Sequence, residues 1–494
     1  MASGRRRWTR SRTVMAVVGL IVVVAAVLAA SSNRFDAAPA AATSTASSSD
    51  AATRVVYGAP DVPDSVLVSR ELFSRAPTVV LISASADNAA AQAAGQIARR
   101  RHIPMFTVDA GTAGPVRDEL TRLGAHDAVM PAGGNALGLT VVPESAAQQA
   151  DSTVGANPDV VLVAAETEGA LATIAAAGAF GASSPTGNPR DSTSAMELLK
   201  AHPNAHVLGV GGEFGTATLL SQRVTVARAA PELPGGGYTI FPGRRLVALY
   251  GSPGSPSLGP LGRQGLDQTI DRARKVAAEY DSVSPVKVVP AFEIIATVAS
   301  ASPGPGDYYT SIIDPAVIRP WVEAAGKAGI YVTLDLQPGR MDFLRQAKMY
   351  ESLLKLPHVG LALDSEWRLK PNQVHLAQIG SVSAAEVNRT ADWLATLVRD
   401  NGLPQKAFVL HEFDSDMLAD RNTIDTSHPE LATVIHADGH GTPPVKMGTW
   451  RRLTTDLPPN VWMGWKNFYT EDHPMFTPAE TMRVAPAPWF ISYQ

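Results

Sequence analysis

Two carboxylates stand two residues apart at the end of an apolar run, Val359-Gly360-Leu361-Ala362-Leu363-Asp364-Ser365-Glu366-Trp367. On a strand, Asp364 and Glu366 point to the same side. Paired acids beside an aromatic ring suit general acid catalysis on an acetal. One acid is kept protonated while its neighbour stays ionised. The plainer use of such a pair is a helix N-cap with a surface ion pair. The apolar run before it favours a strand buried on both faces, as in a parallel sheet.

That strand has companions. From Arg244 to the end, strand and helix patterns alternate eight times. Strands are predicted at Leu246–Tyr250, Val286–Phe292, Ile330–Leu334, Val359–Leu363, Ala407–Leu410, Ala432–His436, Val461–Trp465 and Trp489–Ser492. The clearest helices are Gly265–Tyr280, Pro315–Gly329, Phe343–Leu356 and Ala384–Asn401. Eight β/α units in about 250 residues is the arithmetic of a (β/α)8 TIM barrel, whose chemistry gathers where the strands end. Those ends carry Glu293, Asp335, Asp364 with Glu366 and Trp367, His411-Glu412, His436 with Asp438, and Trp465-Lys466. Acids and aromatics thus collect at one rim. Rings that stack on a pyranose face, with acids that bind its hydroxyls, are how proteins hold sugars.

This C-terminal segment resembles a glycoside-hydrolase barrel. Its Leu361-Ala362-Leu363-Asp364-Ser365-Glu366-Trp367 is similar to the D-x-E strand end shared by chitinase-like enzymes and barrel-type lysozymes. The resemblance implies Glu366 as general acid and Asp364 as the helper that tunes it or orients an acetamido group. Asp335 and Glu293 follow as candidates for positioning or for activating water. Trp367, His411, Glu412, His436, Asp438, Trp465 and Lys466 are expected to contact substrate. A partner acid about 5 Å from Glu366 would retain configuration, and one about 6.5–9.5 Å away would invert it. No cofactor is implied. His436-x-Asp438-x-His440, with His411 and Glu412, has the residue types of a metal site. The first strand's end, Tyr250-Gly251-Ser252, adds no ligand to it. No Gly-x-Ser-x-Gly elbow is present for serine chemistry.

The whole chain has 494 residues, enough for two or three domains. Its net charge of −4 gives no basic field for nucleic acid. The absence of cysteine excludes a disulfide framework, a thiol nucleophile and cysteine-ligated metal. Arg5, Arg6, Arg7, Arg10 and Arg12 precede an apolar run from Val14 to Ala30. Residues 1–32 therefore read as a secretory signal or, uncleaved, a single membrane anchor, with the remainder outside the cell. Residues 33–53, mostly Ala, Ser, Thr and Pro, read as a disordered tether.

Residues 54–235 show one strand–helix pattern twice. The first copy has strands at Thr78–Ser83, Ile103–Val108 and Asp127–Met130, with helices at Asn88–Arg101 and Gly114–Leu123. The second has strands at Asp159–Ala164 and His206–Gly212, with helices at Glu168–Phe180 and Ser194–Ala201. This implies parallel sheets with covered faces. The strand and small-residue helix of Val79 to Gly95, with Leu120 to Gly134, resemble cell-wall-binding repeats of the second type. A Pro- and Gly-rich stretch at 231–243 marks the boundary before the barrel domain, 244–494.

Together these features imply an exported, envelope-associated glycoside hydrolase acting on a cell-wall or other extracellular polysaccharide. The alternative is a surface protein whose degenerate barrel binds glycan without turnover.

Overall fold

The structure, a computed structural model, describes residues 53–154, 159–165 and 168–494. The signal or anchor and residues 33–52 of the tether lie outside the described residues. Thr53 already opens a strand. Among the described residues no helix is long and apolar enough to cross a membrane.

Two four-stranded parallel sheets come first. One has the spatial order Met105–Val108, Thr78–Ser83, Asp127–Val129, Thr140–Val141. The other runs Phe180–Ser183, Val160–Val163, Val207–Val210, Thr53–Val56. In both, a unit's first strand lies between its second and third, so the two sheets share one strand order. The fourth place is taken by a local strand in one sheet and by the distant Thr53–Val56 in the other. The central runs are mostly β-branched and, but for Ser83 at one end, buried, as covered parallel strands must be. Helices Asp64–Leu72, Asn88–Arg101 and Glu168–Ala176 share one core with both sheets. Their approach is close: a Cβ on Gly95 would lie 2.1 Å from a Glu168 carboxylate oxygen.

The helix predicted from Glu168 to Phe180 stops at Ala176. Gly178, at φ +86, reverses the chain there, and Phe180 begins a strand instead.

The second half is a closed barrel of eight parallel strands. In chain order they are Arg244–Gly251, Lys287–Ala299, Tyr331–Leu336, Val359–Asp364, Lys406–Glu412, Leu431–Ala437, Trp462–Asn467 and Phe490–Tyr493. The first pairs with both the second and the eighth, which removes every open edge. All eight predicted strands are present. The outer helices include Leu266–Ala278, Pro315–Lys327, Ala384–Asp400 and Pro443–Leu453. Between the fifth and sixth strands the chain forms short 3₁₀ turns instead. Asp414, Asp416, Asp420 and Asp425 crowd that stretch and favour turns over helix.

Alternation along each strand sorts residues between two environments. Val247, Phe292, Leu334, Leu363 and Leu410 face the helices. Ala248, Ala291, Ala362, Val409 and Val434 face the barrel interior. Leu233, Ile240 and Phe241 join that interior from below. Phe241 packs on Trp462 and Trp489, with ring centroids 5.4 and 5.8 Å away. The Pro- and Gly-rich stretch read as a boundary is therefore also the floor of the barrel.

At the opposite end the next interior layer is polar on every strand. The first four contribute Tyr250, Glu293, Asp335 and Asp364. The last four contribute His411, His436, Lys466 and Ser492. All eight side chains are buried. Burying an unpaired charge costs several kcal/mol, so such a layer persists only through mutual pairing.

Candidate functional site

Glu366 sits one turn above that layer. The fourth strand ends at Asp364, and Ser365–Trp367 forms a single 3₁₀ turn. The turn is clamped from behind. Gly380 donates its N–H to the Glu366 carbonyl at 2.7 Å, and Ser381 to that of Arg368 at 3.0 Å. A Cβ on Gly380 would lie 2.4 Å from the Glu366 carbonyl oxygen, so only glycine permits this approach.

The turn borders a cavity of about 370 Å³ at the barrel mouth. This is within the size range of small-molecule pockets. Asp364, Glu366, Asp438 and Lys466 supply its charged wall. Trp367, Phe413 and Phe468 supply ring faces. Tyr250, Gln337, His440, Arg452 and Gln494 also reach it. Of these, motif reading names only His440, as a candidate metal ligand; the others lie on loops, on a helix, or on the strand end read as a turn.

Beneath the cavity, His411 is held between acids. Its Nε2–H donates to Glu293 at 2.9 Å and its Nδ1–H to Asp438 at 3.0 Å. Asp335 lies 3.9 Å from the same Nε2 and accepts from the Tyr250 hydroxyl at 2.8 Å. Burial alone would favour a neutral imidazole. The charges of Glu293 and Asp438 reverse this and hold His411 protonated, well above the usual histidine range. In return, against burial, the His411 imidazolium holds Glu293 down to about 2. It also keeps Asp438 below the ordinary aspartate value despite burial. His436, edge-on to His411 with centroids 4.7 Å apart, is driven neutral: burial and the adjacent positive charge lower it to about 3.

The remaining acids shift the other way. Burial, reinforced by Asp438, pushes Glu366 up to about 7, although Lys466 opposes it. Burial and neighbouring carboxylates raise Asp364 well above its ordinary value. Burial raises Asp335 to about 6, against the pull of His411. Lys466 lays its ammonium 3.6 Å from the centre of the Tyr250 ring. Buried oxygens of Glu293, Asp335, Asp364 and Asp438 have no protein partner. Those of Asp364 and Asp438 lie at the cavity, and unpaired buried acceptors there mark a place built for polar guests.

The loops above are fixed by a second pair. Lys446 ion-pairs with Asp472 at 2.9 Å and donates to the Lys466 and Gly439 carbonyls at 2.6 and 3.0 Å. Asp472 accepts from the N–H groups of Gly441 and Phe468, each at 2.9 Å. This holds Asp438 and His440 opposite Phe468.

Of the rim residues singled out in the sequence, Asp364, Glu366, Trp367, Asp438 and Lys466 line the cavity. Glu293, Asp335, His411 and His436 lie in the buried layer below. Glu412 and Trp465 do not join them. Each neighbours an inward-facing residue and so points outward. Glu412 pairs with Arg421 at 3.1 Å. Trp465 packs against Trp450 among the outer helices, with centroids 5.4 Å apart.

At the barrel mouth, among the described residues, two sets bring metal-ligand atoms within 4.8 Å of one another: Glu293, His411 and His436, and Asp364, His411 and Asp438. Both depend on His411, whose two nitrogens already donate to carboxylates. A cation could enter either set only by displacing an imidazole proton. No known family model matches this chain. No curated protein matches it either.

Proposed function

We propose that the barrel is a glycoside hydrolase of the cell envelope, with Glu366 as general acid and Asp438 as its ionised partner. One observation carries this reading. Two carboxyl groups face one cavity in surroundings that drive them to opposite protonation states. That division is what acetal cleavage requires.

Glu366 gives its proton to the glycosidic oxygen. The bond from that oxygen to the sugar carbon breaks, and its electron pair stays on the oxygen. Asp438 faces the positive charge that develops on the sugar. Water supplies the hydroxyl that ends on the sugar carbon and the proton that restores the site. The products are a hemiacetal and an alcohol. Trp367, Phe413 and Phe468 offer faces to the sugar ring, and the unpaired oxygens of Asp364 and Asp438 can accept from its hydroxyls. The basic, apolar leader supports action on an extracellular glycan.

The test is release of reducing ends from purified envelope glycans, polysaccharides and glycolipids alike, by wild type and Glu366→Gln. Glutamine keeps the shape and removes the transferable proton. A fall of about 10²-fold or more is expected. Equal release by both proteins would move the chemistry elsewhere on the rim. Glycan binding without release by either would make the barrel a binding module.

A further inference from the structure

Glu366 borders a second cavity, of about 260 Å³, which shares Glu366 and Trp367 with the first. Its other walls come from the loop that follows the fourth strand: His375, Leu376, Ala377, Gln378 and Ile379. We infer that this lobe receives the leaving group, and that the leaving group carries an aliphatic chain. The substrate class is then a glycolipid, with its sugar in the polar cavity and its chain in the apolar lobe. This inference rests on the reading of Glu366 as the general acid.

The two cavities differ in chemistry. The first is walled by acids, an ammonium and a guanidinium. The second has no charged wall besides Glu366, and residues 371–381 contain no Asp, Glu, Lys or Arg. Its two other polar side chains are engaged locally. His375 donates Nε2–H to the Tyr309 carbonyl at 2.7 Å, and Gln378 donates its amide to the Val374 carbonyl at 2.7 Å. A second sugar would find few partners for its hydroxyls there.

The lobe instead presents apolar surface. Leu376 and Ile379 line it and are 88% and 55% exposed, with Val374 beside them on the loop at 40%, an unusual cluster in so short a stretch. The loop that shows them is braced at both ends. Leu369 donates to the Gly339 carbonyl at 2.8 Å, and Gly380 to that of Glu366 at 2.7 Å. Arg340 donates twice to the Gln373 carbonyl, at 3.0 and 2.9 Å. Leu376 is held at φ +63, a backbone region that leucine seldom adopts. Exposed apolar side chains on a braced loop, beside the group that protonates the departing oxygen, fit a chain that leaves in that direction.

In the reaction, Glu366 protonates the oxygen joining sugar to chain. The sugar carbon–oxygen bond breaks, and its electron pair remains with the chain's oxygen. Water completes the sugar as a hemiacetal, so a long-chain alcohol is released.

Hydrogen exchange of the full chain tests this without knowledge of the sugar. The probes are octyl β-glucoside, kept below its micelle concentration, and methyl β-glucoside. Octyl glucoside should slow exchange in residues 374–379 by about threefold or more, and methyl glucoside should not. A Leu376→Asp, Ile379→Asp double variant with an unchanged melting temperature should lose the effect. Absence of protection by octyl glucoside, equal protection by methyl glucoside, or protection that survives in the double variant would each overturn the proposal. None of these outcomes depends on hydrolysis, so failure here is separable from failure of Glu366 as the acid.

Discussion

Glu366 and Asp438 are chemically alike and are set to opposite states by their neighbours. Asp438 accepts from an imidazolium, and Glu366 has burial and a carboxylate against it. The consequence for pH follows. Glu366 must carry its proton to act, so kcat/KM should fall as pH rises through about 7. Asp438 must be ionised, and its value is lowered, so the acid limb should lie below the ordinary aspartate range. An alkaline limb near the ordinary glutamate value would contradict this account of the surroundings of Glu366. Glu366 at a strand end was legible, because an apolar run ending in Asp364-Ser365-Glu366 is unusual, but its expected ionised neighbour was Asp364, whose carboxyl is raised as well by burial and nearby carboxylates. The roles of Asp438 and His411 were not legible, since they depend on contacts between the second, fifth and sixth strands. Glu412 and Trp465 show a further limit. In His411-Glu412 and Trp465-Lys466 one residue must face inward and the other outward, and only the strand's phase decides which.

At the scale of elements, the site depends on how loops return to strand ends. Gly380 brings its loop back against the turn that carries Glu366. Gly380→Ala would place a methyl group against three backbone atoms of residues 366 and 368. The turn must shift, and displacement of a reacting group by about 1 Å costs on the order of 10²-fold in rate. A loss of that order in kcat/KM, with the chain still folded by melting and circular dichroism, is the expected result. Unchanged kinetics would mean that the loop does not position Glu366. Such a role is invisible in sequence because Gly380 belongs to no motif. The same holds for Lys446 and Asp472, a lysine on a helix and an acid on a loop until the fold buries them together. The eight strands were legible for the opposite reason. A strand covered on both faces must be an unbroken apolar run, and the runs lie at regular spacing.

At the scale of the whole molecule, a shared strand order and barrel closure organise the chain. The two small sheets share one strand order, yet the second is completed by Thr53–Val56, more than 100 residues before its other members. Pattern reading of local units cannot find such a strand. The Pro- and Gly-rich stretch that looked like a linker supplies Leu233, Ile240 and Phe241 to the barrel floor, at the end opposite the acid-lined cavity. The central claim is that Glu366 protonates the departing oxygen. It is tested most directly with two substrates that share one sugar. One leaves as an alkyl alcohol, which needs a proton, and the other as a nitrophenolate, which does not. The ratio of wild-type to Glu366→Gln rates should be about 10² or more for the alkyl glycoside and close to one for the nitrophenyl glycoside. Equal ratios for both would show that Glu366 does not supply the proton.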